Sequence, residues 1–141
     1  MPQIYKYLKL IFSFVASGEH LPVHVHVIDE NNNQTIFDLV IKNEILVDIK
    51  TRKKEGFDSI SEKNQRIAKA FIRRYYADIV TKWFEFFILG KKIKSETVKE
   101  IENLIIDTKK LTENLRELNK HFYPTEKKQP KTNKTPKSKK K

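Results

Sequence analysis

The sequence contains no cysteine, so neither a disulfide framework nor a metal site built on thiolates is available to it. It has only three glycines in 141 residues, and they do not form the glycine-rich loops that bind nucleotides. No apolar run approaches the roughly 20 residues that a helix needs to cross a bilayer. These absences predict a cytoplasmic protein from a reducing compartment, with no membrane partner.

The motifs of several common enzyme classes are also missing. There is no Walker phosphate loop, no H-E-x-x-H metalloprotease motif and no G-x-S-x-G nucleophile elbow. The sequence therefore gives no support to these reactions, and whether the chain is an enzyme at all stays open.

Positive charge is abundant but unevenly distributed along the chain. The net charge is +11, and eight of the 29 basic residues lie from Pro124 onward with one of the 18 acidic residues. The preceding part carries 21 basic and 17 acidic residues, a net charge of only +4. Residues 124–141 contain no apolar side chain, so we predict a disordered lysine-rich tail.

Alternating and β-branched residues predict several short strands before residue 51. In Val23–Asp29 the valines fall on one face, and His24, His26 and Ile28 fall on the other. Similar patterns and the turns between them predict an antiparallel meander of four or five strands, at Ile4–Leu8, Leu10–Val15, Val23–Asp29, Thr35–Ile41 and Ile45–Lys50.

A helical period follows the meander. Ser59 stands three residues before Glu62, which is the spacing of a capping box that opens a helix. A broad apolar stripe then recurs every three to four residues, at Ile67, Phe71, Tyr75, Ile79, Trp83 and Phe86 or Phe87. Gly90 stands where a C-terminal cap is expected.

A second helix is predicted to open at Ser95 and Glu96 and to end before Pro124. Its apolar residues form a seam against the first helix or against another chain, at Val98, Ile101, Ile105, Leu111, Leu115, Leu118 and Phe122. The predicted fold class is α+β, with a small antiparallel meander on one long helix. Residues 1–90 form the meander and helix, 91–123 a helical extension, and 124–141 the tail.

Three of the four histidines lie within seven residues and are the densest chemical feature. His24 and His26 share one face of a predicted strand, roughly 6–7 Å apart along it. Pro22 stiffens the chain and can bring His20 near this pair. Asp38 and Asp48 on neighbouring strands are candidates to orient the imidazoles, because a carboxylate often fixes the imidazole tautomer.

Three interpretations of the histidines stay open. His20, His24 and His26 can bind zinc or another transition metal, with Glu19 as a further ligand. Two of them can instead serve as general base and acid in phosphodiester cleavage without a cofactor, since the ordinary histidine pKa lies near neutral pH. The third interpretation is a polar strand face with no chemistry.

Two groups of basic residues are candidates for binding nucleic acid. One follows the last predicted strand of the meander, and the other recurs at helical spacing on the first helix. They are Lys50, Arg52, Lys53 and Lys54, and Arg66, Lys69 and Arg73. The alternative is an ordinary solvated surface.

The motifs of the first 88 residues are similar to those of a bacterial domain-of-unknown-function family, four-one-six-zero (DUF4160). They are Pro2-x-Ile4, Glu19-His20-x-Pro22-x-His24-Val25-His26-Val27, and Trp83 before Phe86. The resemblance implies a toxin–antitoxin-like setting with a small cognate partner protein, and makes the three histidines the main functional candidates.

The function predicted from the sequence is a bacterial toxin–antitoxin-like or accessory protein that engages RNA or a ribonucleoprotein through its basic patch and tail. His20, His24 and His26 are the candidate catalytic groups of a histidine-dependent ribonuclease. The alternatives are a non-enzymatic module that binds protein or nucleic acid, and a metal-binding protein.

Overall fold

The structure is a computed structural model that describes residues 2–14, 23–102 and 106–122. The predicted tail, residues 124–141, lies outside the described residues. Neither described helix combines the length and the apolar character that crossing a membrane requires.

In the described residues, six strands form one sheet in the spatial order β5-β4-β3-β2-β1-β6. The first five are antiparallel to their neighbours, whereas β6 pairs in parallel with β1. The α+β class and the meander are confirmed, and β6 is an additional edge strand. The bounds are β1 (Gln3–Tyr7), β2 (Leu10–Ser13), β3 (His24–Ile28), β4 (Gln34–Lys42), β5 (Ile45–Lys53) and β6 (Glu96–Val98).

Two tight turns fix the register of the meander. Tyr7 pairs with Leu10, so Leu8 and Lys9 form a two-residue turn in which Leu8 has a φ of 55°. Asn43 and Glu44 join β4 to β5, with φ angles of 51° and 63°. Two positive φ angles are typical of the type I′ turn, which matches the twist of the flanking strands.

The long helix, α1 (Glu62–Phe87), begins two residues later than the predicted capping box requires. Ser61 is the N-cap, and its Oγ accepts a hydrogen bond from the backbone N–H of Asn64 at 3.1 Å. The prediction that Ser59 caps the helix is therefore wrong. The chain leaves α1 through Gly90, whose φ of 66° suits a residue without a side chain.

The predicted start of the second helix is also wrong. Residues Glu96–Val98 form β6, and the helix α2 (Thr108–Phe122) begins ten residues after β6 ends. Thr97 and Val98 are β-branched, which favours a strand, and β1 offers them an edge to pair with. Asp107 precedes α2 and accepts a hydrogen bond from the N–H of Lys110 at 3.0 Å, as an N-capping side chain does.

The core lies between one face of the sheet and α1. The ring of Phe71 on α1 packs against Tyr5 and Phe12, with ring centroids 5.0 and 4.7 Å away. Leu111 and Leu118 of α2 are buried, and Asn114 donates a hydrogen bond to Thr81 of α1. The seam of α2 therefore faces α1. The buried residues of α1 are Ala68, Phe71, Ile72, Tyr75, Tyr76, Ile79, Val80 and Trp83.

A polar network joins β6 to the rest of the molecule. Lys82 of α1 forms ion pairs with Glu96 at 2.8 Å and with Asp78 at 3.2 Å. The hydroxyl of Tyr5 donates a hydrogen bond to the same Asp78 carboxylate. Burial and the charge of Asp78 raise the pKa of Tyr5 well above its usual range, so the hydroxyl remains a donor.

Candidate functional site

Strand register decides which face of the sheet carries the histidines. Cross-strand partners share a face. Val27 pairs with Phe12, which packs on α1, whereas His26 pairs with Ser13 and Ile36. The valines of β3 therefore face the helix, and by their position in the strand His24 and His26 belong to the opposite face, as the alternation predicts.

His24 and His26 are close together and both are buried. Their ring centroids are 5.7 Å apart, and the residues are 6% and 3% exposed. The ring of His24 also meets the indole of Trp83 edge-on, with centroids 5.0 Å apart. Strand β2 ends at Ser13, opposite His26, so no residue of β2 pairs with His24. Beyond the end of β2, the ring of His24 contacts Trp83 of α1.

His26 is held in the neutral form. Burial is the main cause that lowers its pKa to about 4, and the positive charges of His24, Lys54 and Arg52 act in the same direction. The carboxylate of Asp38 acts in the opposite direction. The buried Nδ1 of His26 has no hydrogen-bond partner among the described residues.

Both candidate carboxylates accept hydrogen bonds from groups other than histidine. Asp38 lies opposite His24 in the register, but its two oxygens accept hydrogen bonds from Nε and Nη2 of Arg52 at 2.7 and 2.8 Å. Asp48 accepts a hydrogen bond from the backbone N–H of the next residue, Ile49. The fork between Arg52 and Asp38 is a feature that the sequence did not indicate, because its two residues lie on separate strands.

Part of the first basic group shares the sheet face of the histidines. Lys50 pairs with Asp38 and Arg52 pairs with Ile36, which places both on that face. Lys54 follows β5, and its positive charge, like that of Arg52, lowers the pKa of His26. Lys53 pairs with Thr35 and so points to the face that α1 covers. The structure therefore brings Lys50, Arg52 and Lys54 together with His24 and His26.

The second basic group lies elsewhere. Arg66, Lys69 and Arg73 belong to α1, which packs on the face opposite to the histidines. Arg66 and Arg73 are exposed and Lys69 is partly buried. The two groups do not form one continuous patch, because the sheet lies between them.

His20, the third candidate histidine, lies outside the described residues. Within residues 2–14, 23–102 and 106–122, no three side chains of the metal-binding types are grouped so that they could hold a metal ion. Trp83, near His24, has a buried Nε1 without a hydrogen-bond partner in the same ranges.

A cavity that the sequence did not indicate lies between α1 and β6. Its volume is about 690 Å³. Acidic side chains contribute much of its lining, among them Asp78, Glu96, Glu100 and Glu102. No sequence pattern indicates this cavity, because the sequence predicts a helix where β6 lies.

The family assignment agrees with the histidine strand and the Trp83 helix. The family model of a domain of unknown function (DUF4160) matches residues 10–84, just over half of the chain. This chain belongs to the DUF4160 family. The match covers β2 to β5 and most of α1, and it leaves β6 and α2 outside. No curated protein and no solved structure matches the chain.

Proposed function

We propose that this DUF4160 protein is an RNA-binding module whose phosphate contacts lie at the end of β5. The observation that carries the proposal is the register of β3, β4 and β5, which puts Lys50 and Arg52 on the face of His24 and His26. The histidines of β3 and the basic residues of β5, which are separated in the sequence, thus lie on the same face of the sheet.

Charge supports a polyanionic ligand. Lys50 is exposed, and Arg52 keeps about half of its side chain exposed although it pairs with Asp38. The net charge of +11 adds long-range attraction, and the lysine-rich tail adds sequence-independent affinity. Single-stranded RNA is the ligand class that we favour, because sheet surfaces are a common platform for unpaired bases.

Binding is better supported than cleavage. A general acid or base must come within about 3 Å of the proton it transfers, and histidines that are 6% and 3% exposed offer substrate little access. With a pKa of about 4, His26 is also not protonated at neutral pH and cannot act there as a general acid. In this proposal His24 and His26 therefore have a structural role, because they form part of the sheet face that carries Lys50 and Arg52.

Cleavage by the histidines is the second candidate function. It is favoured by the two imidazoles 5.7 Å apart and by the buried Nδ1 of His26, which lacks a partner in the described part of the chain. The toxin–antitoxin-like role and the small cognate protein stay predictions from the family resemblance.

A binding measurement tests the leading proposal. Fluorescence anisotropy with a labelled single-stranded RNA compares Lys50→Ala/Lys54→Ala with Arg66→Ala/Arg73→Ala. Each double variant loses two positive charges and keeps the tail. We expect the first variant to bind more weakly and to reduce the slope of log affinity against log salt by about 1.4, at about 0.7 per phosphate contact. Equal effects of the two variants would refute the assignment to β5.

A cleavage assay separates the two candidate functions. The labelled RNA is incubated with wild type and with His24→Ala, each with and without EDTA. The binding proposal expects intact RNA in every lane. Cutting that resists EDTA and disappears in the variant would instead establish cleavage by the histidines, and cutting that EDTA stops would indicate a metal.

A further inference from the structure

Strand β5 is an edge of the sheet. It is the terminal strand in the spatial order, and among the described residues no strand lies on its outer side. Nine residues long, it carries two exposed apolar side chains, Ile45 at 60% and Val47 at 51%. An edge of this length presents unpaired backbone groups that can pair with another strand.

The hydrogen-bond pattern shows which backbone groups of β5 point outward. The N–H of Leu39 donates to the carbonyl of Val23, so the backbone groups of Leu39 are directed toward β3. Leu39 pairs with Ile49 across β4 and β5. In an antiparallel ladder this is a non-hydrogen-bonded pair, so the N–H and C=O of Ile49 point away from β4.

In the single chain, a side chain partly protects this edge. The N–H of Ile49 donates to Oδ1 of the neighbouring Asp48 at 2.8 Å. Val40 pairs with Asp48 and Ile41 pairs with Leu46. Val47 therefore has no partner residue in β4 and forms a β-bulge in β5. Bulges and charges on an edge discourage unspecific pairing. A partner strand must therefore match the charges of β5.

We propose that the β5 edge binds the β5 edge of a second copy of this chain, in a twofold-symmetric antiparallel dimer centred on Ile49. The two central residues then exchange N–H and C=O hydrogen bonds with each other. Their neighbours form two identical pairs, because in such an interface each contact occurs twice. Asp48 of each copy lies opposite Lys50 of the other.

Charge complementarity selects this register. Paired residues must share a face, so the nearest symmetric alternatives move the centre by one residue. Centring on Asp48 puts two aspartates opposite each other, and centring on Lys50 puts two lysines opposite each other. Like charges directly opposite are destabilising, whereas opposite charges stabilise a sheet. Centring on Ile49 also places Val47 opposite Thr51 and reduces the exposure of the valine.

Asp48 changes partner when the dimer forms. In the single chain its carboxylate accepts the hydrogen bond from Ile49, and in the dimer it pairs with the Lys50 ammonium of the second copy. The Ile49 N–H is then satisfied by a backbone carbonyl, so no buried donor is left without a partner. Because Lys50 is also a proposed phosphate contact, the dimer is tested on protein freed of nucleic acid.

Charge-swapped variants test the dimer by analytical ultracentrifugation across a range of concentrations. Asp48→Lys and Lys50→Asp each replace both attractive pairs with repulsive ones, and we expect about tenfold weaker association or more. The double variant, Asp48→Lys/Lys50→Asp, restores opposite charges and is expected to restore the dimer. Circular dichroism and thermal denaturation check that each variant folds.

Three results would overturn the proposal. One is a wild-type chain that is monomeric up to its highest soluble concentration. Another is a dimer that neither single variant weakens, which would place the interface elsewhere. The third is a dimer that both single variants weaken and the double variant fails to restore, which would contradict the pairing of Asp48 with Lys50.

Discussion

The imidazole of His24 stands edge-on to the indole of Trp83, with ring centroids 5.0 Å apart and ring planes inclined by 63°. This contact links the histidine strand to α1, the two features on which the family resemblance is based. Trp83 is the single tryptophan of the chain and is fully buried. Its fluorescence therefore reports directly on the structure around the histidines.

Stability is expected to fall as the pH falls from 7 to 5. The folded-state pKa of His26 is about 4, below the value of about 6.5 for an unfolded chain, so the unfolded chain takes up the proton first. Over this interval the free energy of unfolding should drop by about 2 kcal/mol from His26 alone. Urea denaturation followed by Trp83 fluorescence at both pH values measures the drop.

The variant His26→Gln is the control for this prediction. It removes the titrating group and keeps a polar side chain, so its stability should depend much less on pH in the same interval. Circular dichroism serves as a second probe, because it reports on the backbone and does not depend on the surroundings of a single tryptophan. A wild-type chain and a variant with the same pH dependence would contradict the lowered pKa.

Local patterns were sufficient to predict the meander and α1. Alternation in β3 reflects one apolar face that packs toward α1, and the apolar stripe of α1 reflects the face that packs on the sheet, so local patterns show both directly. The sequence predicts a helix over residues 96–98 because Val98 fits the same helical period as Ile101 and Ile105. Its pairing with β1 depends on an edge more than 80 residues away in the chain, and local reasoning cannot detect such a partner.

The candidate site could be predicted only in part for the same reason. The shared face of His24 and His26 follows from strand alternation, and the basic residues after the meander were visible as a cluster. The sequence did not show that α1 would carry Arg66 and Arg73 to the other side of the sheet. Nor did it show that Arg52 would pair with Asp38, since strand register decides both relationships.

Glycine at position 44 is expected to stabilise the protein. Glu44 has a φ of 63°, and a side chain in this left-handed region costs roughly 1–2 kcal/mol. Glycine removes this cost but gains entropy in the unfolded chain, about 0.4–1 kcal/mol. We therefore expect Glu44→Gly to raise the free energy of unfolding by about 0.5–1 kcal/mol.

Denaturation with urea measures the effect of Glu44→Gly, with Lys42→Gly as the control. Lys42 belongs to β4 and has no positive φ, so glycine there should destabilise the strand. The hydrogen bond from the Tyr76 hydroxyl to the carbonyl of Glu44 is retained in the variant, because it uses the backbone. A loss of stability in Glu44→Gly would argue against the type I′ turn.

Two serines near the start of α1 provide a matched test of where the helix begins. Ser61 accepts a hydrogen bond from the N–H of Asn64, which otherwise has no partner within the helix. Ser61→Ala should therefore cost about 1 kcal/mol, whereas Ser61→Asp should retain most of the stability because aspartate is an equally good N-cap. Ser59→Ala removes the same hydroxyl from an exposed position outside the helix, and it should change stability by less than about 0.5 kcal/mol. Thermal or urea denaturation of the three variants, followed by circular dichroism, gives the comparison. If Ser59→Ala were the more damaging alanine variant, the helix would begin where the capping-box spacing predicts.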